Sequence, residues 1–178
     1  LGDAARAEAL VRRVLPGLVR RAQSGGATEA QVFLAAARDT LAEASLARGD
    51  AATAEREYAA AADGLAKLDP DAYASMHTRA LVRLAGVQLQ RGELDAADAT
   101  SARLDTAMKG VHSALAESRA EAALLHIDIA VARGEASVRE QAQRLRESVC
   151  ANGESTAALA QRWPAWYDGA SMPTCEVR

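Results

Sequence analysis

The sequence predicts an all-α chain of antiparallel helical hairpins, and three observations predict it. The string Arg-Gly-acidic recurs as Arg48-Gly49-Asp50, Arg91-Gly92-Glu93 and Arg133-Gly134-Glu135, the glycines standing 43 and then 42 residues apart. Each copy closes one Ala/Leu-rich segment and opens another, and a period of that length marks stacked helical hairpins. About a quarter of the 178 residues are alanine, with four prolines and six aromatics; alanine, leucine, arginine and glutamate are the strongest helix formers. No segment alternates apolar and polar residues as a strand would.

The first helix spans residues 4–23. Leu10, Val14 and Leu18 form one row and Val11, Leu15 and Val19 the next, which makes a broad apolar face. Pro16 lies inside it and predicts a kink or break near Leu15; Ser24-Gly25-Gly26 then stops the helix. Thr28 is the expected N-cap of the second helix, with Gln31 completing a capping box, and that helix runs to Arg48. Its partner starts at Asp50 or Thr53 and runs to Leu68, where Asp69-Pro70-Asp71 ends it, because a residue before proline avoids helical geometry. The next pair covers 71–90 and 93–109, with Gly110 as C-cap. A third covers 111–132 and 135–150. Asn152-Gly153 is a turn signal. The domains that follow are an N-terminal helix, 1–24, packed on or capping the repeats; three hairpins, 28–150; and a C-terminal capping segment, 151–178.

Net charge is −3, from 21 basic and 24 acidic residues. That balance exerts no global pull on nucleic acid or anionic lipid. No window of 18 apolar residues occurs, so no membrane insertion is expected. The chain starts at Leu1 without a signal-peptide pattern and reads as an excised or processed piece.

The hairpins resemble tetratricopeptide repeats. Leu41 and Ala42 match that family's leucine–small pair, Gly49 its turn glycine, Ala54 its alanine, Tyr58 and Ala61 its aromatic and small positions, and Lys67-Leu68-Asp69-Pro70-Asp71 its closing motif. In the second unit Leu81, Leu84 and Ala85 precede Gly92 and Ala97 follows it. The third unit departs: Arg139 stands where alanine belongs, and Leu124, Ile127 and Val131 fit with a one-residue shift. The resemblance covers residues 28–150 and implies a right-handed superhelix with elongated repeats of about 42 residues. It also implies a protein- or peptide-binding scaffold, one domain of a larger bacterial regulatory or secretion-related protein. A second reading is the ligand- or signal-sensing effector domain of a transcriptional regulator or protein kinase; an all-helical enzyme is a distant third.

Catalytic chemistry finds no support in the residues. His77, His112 and His126 stand alone, without the i+4 partner of a metal motif; the glycines make no phosphate loop, and no nucleophile elbow occurs. No catalytic residue, metal ligand or cofactor is therefore assigned. Arg-Gly-acidic is read as a turn, with glycine supplying backbone freedom and the acid meeting the positive end of the next helix.

Binding candidates are more specific. Arg79 and Arg83, four apart, occupy positions that in the resembling family face the groove. Asp39 and Glu43 fill the like positions in the first unit, and Glu121 and Asp128 lie nearby in the third. A basic pair between acidic flanks either suits a peptide carboxylate or pairs with those acids between repeats, and Val82 and Gly86 stand where that family places its carboxylate-clamping lysine and asparagine. Arg6, Arg13 and Arg20 form a basic stripe on the first helix, for an acidic partner, for nucleic acid or as a solvated face. Trp163, Trp166 and Tyr167 form an aromatic cluster of the kind that either caps the last repeat or anchors a partner. The two cysteines, Cys150 and Cys175, can form a disulfide across about 25 residues; the bond would favour the bacterial periplasm over the cytoplasm. The expected partner is protein or peptide rather than nucleic acid, and a homodimer stays open.

Overall fold

The computed structural model describes residues 2–24, 28–109, 111, 116–138, 140–141 and 144–145. They form six α-helices, α1 (Gly2–Gln23), α2 (Thr28–Leu46), α3 (Ala51–Leu65), α4 (Pro70–Gln90), α5 (Leu94–Met108) and α6 (Ala116–Ala132). Among the described residues there is no strand. The chain divides into two compact units, Leu1–Ser113 and Ala114–Arg178.

In the first unit each helix packs on the next, α1 on α2, α2 on α3, α3 on α4 and α4 on α5. Short connections force antiparallel neighbours, and the contacts agree. Arg48 at the end of α2 reaches Glu8 near the start of α1, while Gln31 at the start of α2 reaches the Ala22 carbonyl near the end of α1. Alternate helices therefore run parallel, so α2 and α4 share one face of the unit. The core is built of small residues: Ala42, Ala54, Tyr58, Leu84 and Val87 cluster at its centre, and Ala61, Ala62, Leu81, Ala85, Ala97 and Leu104 are buried around them. Alanine at the contacts lets helices approach closely, which recovers dispersion that its short side chain would otherwise forfeit.

The three glycine turns are one device used three times. Gly49, Gly92 and Gly134 have φ of 80°, 75° and 70°, left-handed geometry that costs glycine nothing. In each turn the glycine N–H donates back three residues, to Leu46, Leu89 and Val131. The next N–H donates back five, to Ser45, Gln88 and Ala130, at 2.9, 2.9 and 3.0 Å. This is the Schellman arrangement, which satisfies carbonyls that a helix end would leave orphaned. Asp50 then caps α3, its carboxylate accepting from Thr53 N–H at 3.0 Å. Glu93 at the like position makes no such bond and pairs instead with Arg91 at 2.7 Å.

Several boundaries differ from the sequence expectation. α1 runs unbroken through Pro16, so no break occurs at Leu15; proline removes one backbone donor there, and packing on α2 holds the turns on either side. The Gln31 amide donates to Ala22 O at 3.2 Å and ties α2 to the end of α1. α3 stops at Leu65 rather than Leu68. Lys67 and Leu68 donate to Gly64 and Leu65 in three-residue turns, which tighten the helix end before Asp69. Asp69, read in the sequence only as a stop for the preceding helix, also caps α4, accepting from Asp71 and Ala72 N–H at 2.9 and 3.2 Å, with Pro70 at the first helical position.

In the second unit Ala120, Leu124, Ile127 and Ala130 of α6 pack with Val138 and Leu145. The described residues from 138 to 145 have helical backbone, consistent with the hairpin expected after Gly134. The segment 151–178, with Trp163, Trp166, Tyr167 and Cys175, lies outside the described residues, as do His112, Arg139 and Cys150.

Candidate functional site

The face shared by α2 and α4 carries the densest group of charges. Asp39 and Glu43 stand one turn apart on α2, and Arg79 and Arg83 one turn apart on α4. Packing of α2 and α4 on α3 brings the two pairs side by side, although Asp39 and Arg79, like Glu43 and Arg83, are 40 residues apart, three fewer than the step from Gly49 to Gly92, so they do not hold the same repeat position. Arg83 Nη1 lies 2.6 Å from Asp39 Oδ2 and 2.7 Å from Glu43 Oε1. Arg79 Nη2 lies 4.0 Å from the same Asp39 oxygen. Tyr58 of α3 forms the floor, its ring centroid 6.0 Å from Arg83 Cζ, a cation–π distance.

Electrostatics follow from this geometry. Burial pushes the Tyr58 hydroxyl up to about 12, with Asp39 and Glu43 adding to the rise and Arg83 opposing it. For Arg83, burial acts against the charged form, yet the Asp39 hydrogen bond and the charges of Asp39 and Glu43 outweigh it and hold the guanidinium more firmly protonated. Arg83 is thus a committed cation shared by two carboxylates. Arg79 is different. Its side chain is 55% exposed, and its carboxylate neighbour is already taken by Arg83. Glu43, 53% exposed, is the outer and more displaceable of the two acids.

The sequence placed acidic residues as flanks to a basic pair. The structure brings Asp39, Glu43, Arg79 and Arg83 together and closes the acids onto Arg83. Asp128 lies in α6, in the second unit, half-buried with an interaction of its own. Between α2 and α4, beside Asp39 and Arg79, the gap is about 10 Å³, room for no more than a water molecule. A ligand on this face lies across it rather than in it.

Other charged residues serve the fold. Glu8, buried in α1, is held by Arg12 at 2.7 Å and by Arg48. Arg38 meets Glu57 at 3.5 Å between α2 and α3. Arg91 reaches Glu55 at 2.8 Å, Gln88 donates to Glu55 at 3.2 Å and accepts from Thr100 at 2.8 Å, a chain that ties α3, α4 and α5. In both turns of the first unit, then, the arginine of the Arg-Gly-acidic string is bound to a carboxylate. Apart from Glu8 with Arg12, one turn apart on α1, neither these ties nor the Tyr58 floor was legible in the sequence, since each joins residues on different helices and none follows the 43-residue step.

A second, open cleft of about 390 Å³ lies between α3, α4 and α5, lined by Ala66, His77, Ala99, Ala102, Arg103 and Thr106. Burial lowers the His77 pKa, Arg103 lowers it further and Asp63 opposes them; Arg103 itself bonds Asp63 at 2.7 Å. Among the described residues no group of three His, Cys, Asp or Glu side chains is arranged to hold a metal ion, and no described helix is long and apolar enough to cross a membrane. The stripe residues Arg6, Arg13 and Arg20 are all exposed on α1.

No protein-family model, no curated protein and no solved structure matches this chain.

Proposed function

We propose that this chain is a tetratricopeptide-like module that binds a protein partner through an acidic or C-terminal peptide on the face shared by α2 and α4. We take it as one scaffold domain of a larger bacterial regulatory or secretion-related protein. The repeat reading is supported by the positions that suggested it. Leu41, Ala42, Ala54, Tyr58, Ala61, Leu81, Leu84, Ala85 and Ala97 are all buried, and the glycines close equivalent turns. The observation that carries the binding reading is Arg79, an exposed guanidinium whose neighbouring carboxylate is engaged elsewhere. An incoming carboxylate takes Arg79 directly and, by displacing exposed Glu43, gains Arg83 as a second donor.

The test is fluorescence anisotropy with a panel of acidic peptides, each with a free and an amidated C-terminus. Arg79→Glu with Arg83→Glu should weaken binding by about tenfold or more, while Glu43→Gln, which removes the internal competitor, should tighten it. Circular dichroism checks that each variant stays folded. Binding that survives the double reversal, or that Glu43→Gln weakens, overturns the proposal.

A further inference from the structure

The outer face of α1 is a second surface that the α2–α4 reading does not use. Leu10 and Val14 are 63% and 44% exposed on α1, and Phe33 is 61% exposed on α2. They are the exposed large hydrophobic side chains described in the first unit. Phe33 lies two residues after Gln31, which is bonded to Ala22, so it stands on the stretch of α2 that runs beside the last turns of α1. At about 100° per residue, Leu10 and Val14 form a strip bordered along one side by Arg6, Arg13 and Arg20. These three guanidinium groups form no ion pair or side-chain hydrogen bond among the described residues, whereas Arg12, one turn below Glu8, is engaged inward. The described acidic side chain of α1, Glu8, is buried. The outward face thus carries a short apolar strip, Leu10 and Val14, bordered by uncommitted positive charge and continued toward the helix end by exposed Arg21.

We infer that this face docks an amphipathic helix that carries acidic residues beside its apolar stripe. Charge complementarity selects the sign of the partner: a second α1, presented by another copy of the chain, would set arginine against arginine. Spacing selects its form. Arginines seven residues apart match two turns of a facing helix, so a partner with leucines at its seam and glutamates at the flanking positions meets Arg6, Arg13 and Arg20 in one register. A lipid surface imposes no such register, and the exposed apolar groups here are split over two helices rather than arrayed along one.

The experiment titrates the full chain into a labelled designed helix with leucine at its seam positions and glutamate at the flanking ones. Its counterpart with lysine for glutamate, and vesicles of phosphatidylcholine and phosphatidylglycerol in equal parts, serve as the other arms. Saturable binding of the acidic helix alone is expected, weakening as salt rises. Arg6→Glu, Arg13→Glu and Arg20→Glu together should weaken it by about tenfold or more. Leu10→Ser with Val14→Ser should weaken it with little loss of fold, since both side chains are exposed. Arg79→Glu alone, at an exposed side chain, should leave it unchanged, which separates this surface from the α2–α4 face. Absence of binding, equal binding of the lysine helix, binding of the vesicles in its place, or indifference to the arginine reversals overturns the inference.

Discussion

Arg83 belongs both to the packing of the unit and to the candidate site. It spans α2 and α4 through Asp39 and Glu43 and stacks over Tyr58, so its charge is spent on holding the unit together. Arg79, one turn away, keeps its charge for solvent or a ligand. His77 offers a cleaner residue-scale measurement. Burial, the largest cause, and Arg103 lower its pKa in the folded chain below 6.5. The unfolded chain therefore takes up the proton first as pH falls. Stability contributed by neutral His77 is present above the unfolded value, declines as pH drops through it, and levels off below the folded value. Denaturant titrations between about pH 7.5 and 5.5 should show the wild-type chain losing more stability than His77→Gln does. Parallel pH profiles for the two chains would refute this.

At the scale of elements, the turns decide whether the helices stack. Gly92 has φ of 75°, and a Cβ built there meets nothing within 4 Å. Any cost of substitution is then backbone strain rather than collision. Gly92→Ala should destabilise by about 1–2 kcal/mol and Gly92→Asn by less, since asparagine tolerates left-handed geometry better. Thermal melts measure both; an alanine variant as stable as the parent would show that the turn relaxes to negative φ. The same logic explains why the Arg-Gly-acidic strings recur. Glycine makes the Schellman turn and the arginine reaches a carboxylate of a neighbouring element, Glu8 for Arg48 and Glu55 for Arg91. The acid then caps the next helix, as Asp50 does, or pairs with the arginine, as Glu93 does.

At the scale of the whole molecule, Leu1–Ser113 forms a compact unit with its own core. A fragment of residues 1–113 should therefore be helical by circular dichroism and unfold cooperatively. Its core alanines offer little transfer energy each, so its stability depends on the few large buried side chains, Tyr58, Leu81, Leu84 and Leu104. A fragment that lacks helix, or melts without a transition, would show that the remainder of the chain is needed to form the unit.

Much of the fold was legible in the sequence alone because its signals are local. Helical propensity, the apolar spacing of Leu81, Leu84 and Ala85, the helix stop at Asp69-Pro70-Asp71, and the recurring glycines each act over a few residues, and together they determined an all-α chain with turns at Gly49, Gly92 and Gly134. The candidate site was half legible. The sequence set the charged pairs Asp39/Glu43 and Arg79/Arg83 on corresponding helices of adjacent hairpins, but only the packed helices decided that both acids close on Arg83, that Tyr58 lies beneath it, and that Arg79 is left exposed. Tertiary structure likewise decided that α1 passes through Pro16 and that Leu10 and Val14 face outward while Glu8 turns in. Periodicity marks a helix face as apolar, but which part of that face is covered depends on the neighbour it meets, and that neighbour comes from elsewhere in the chain.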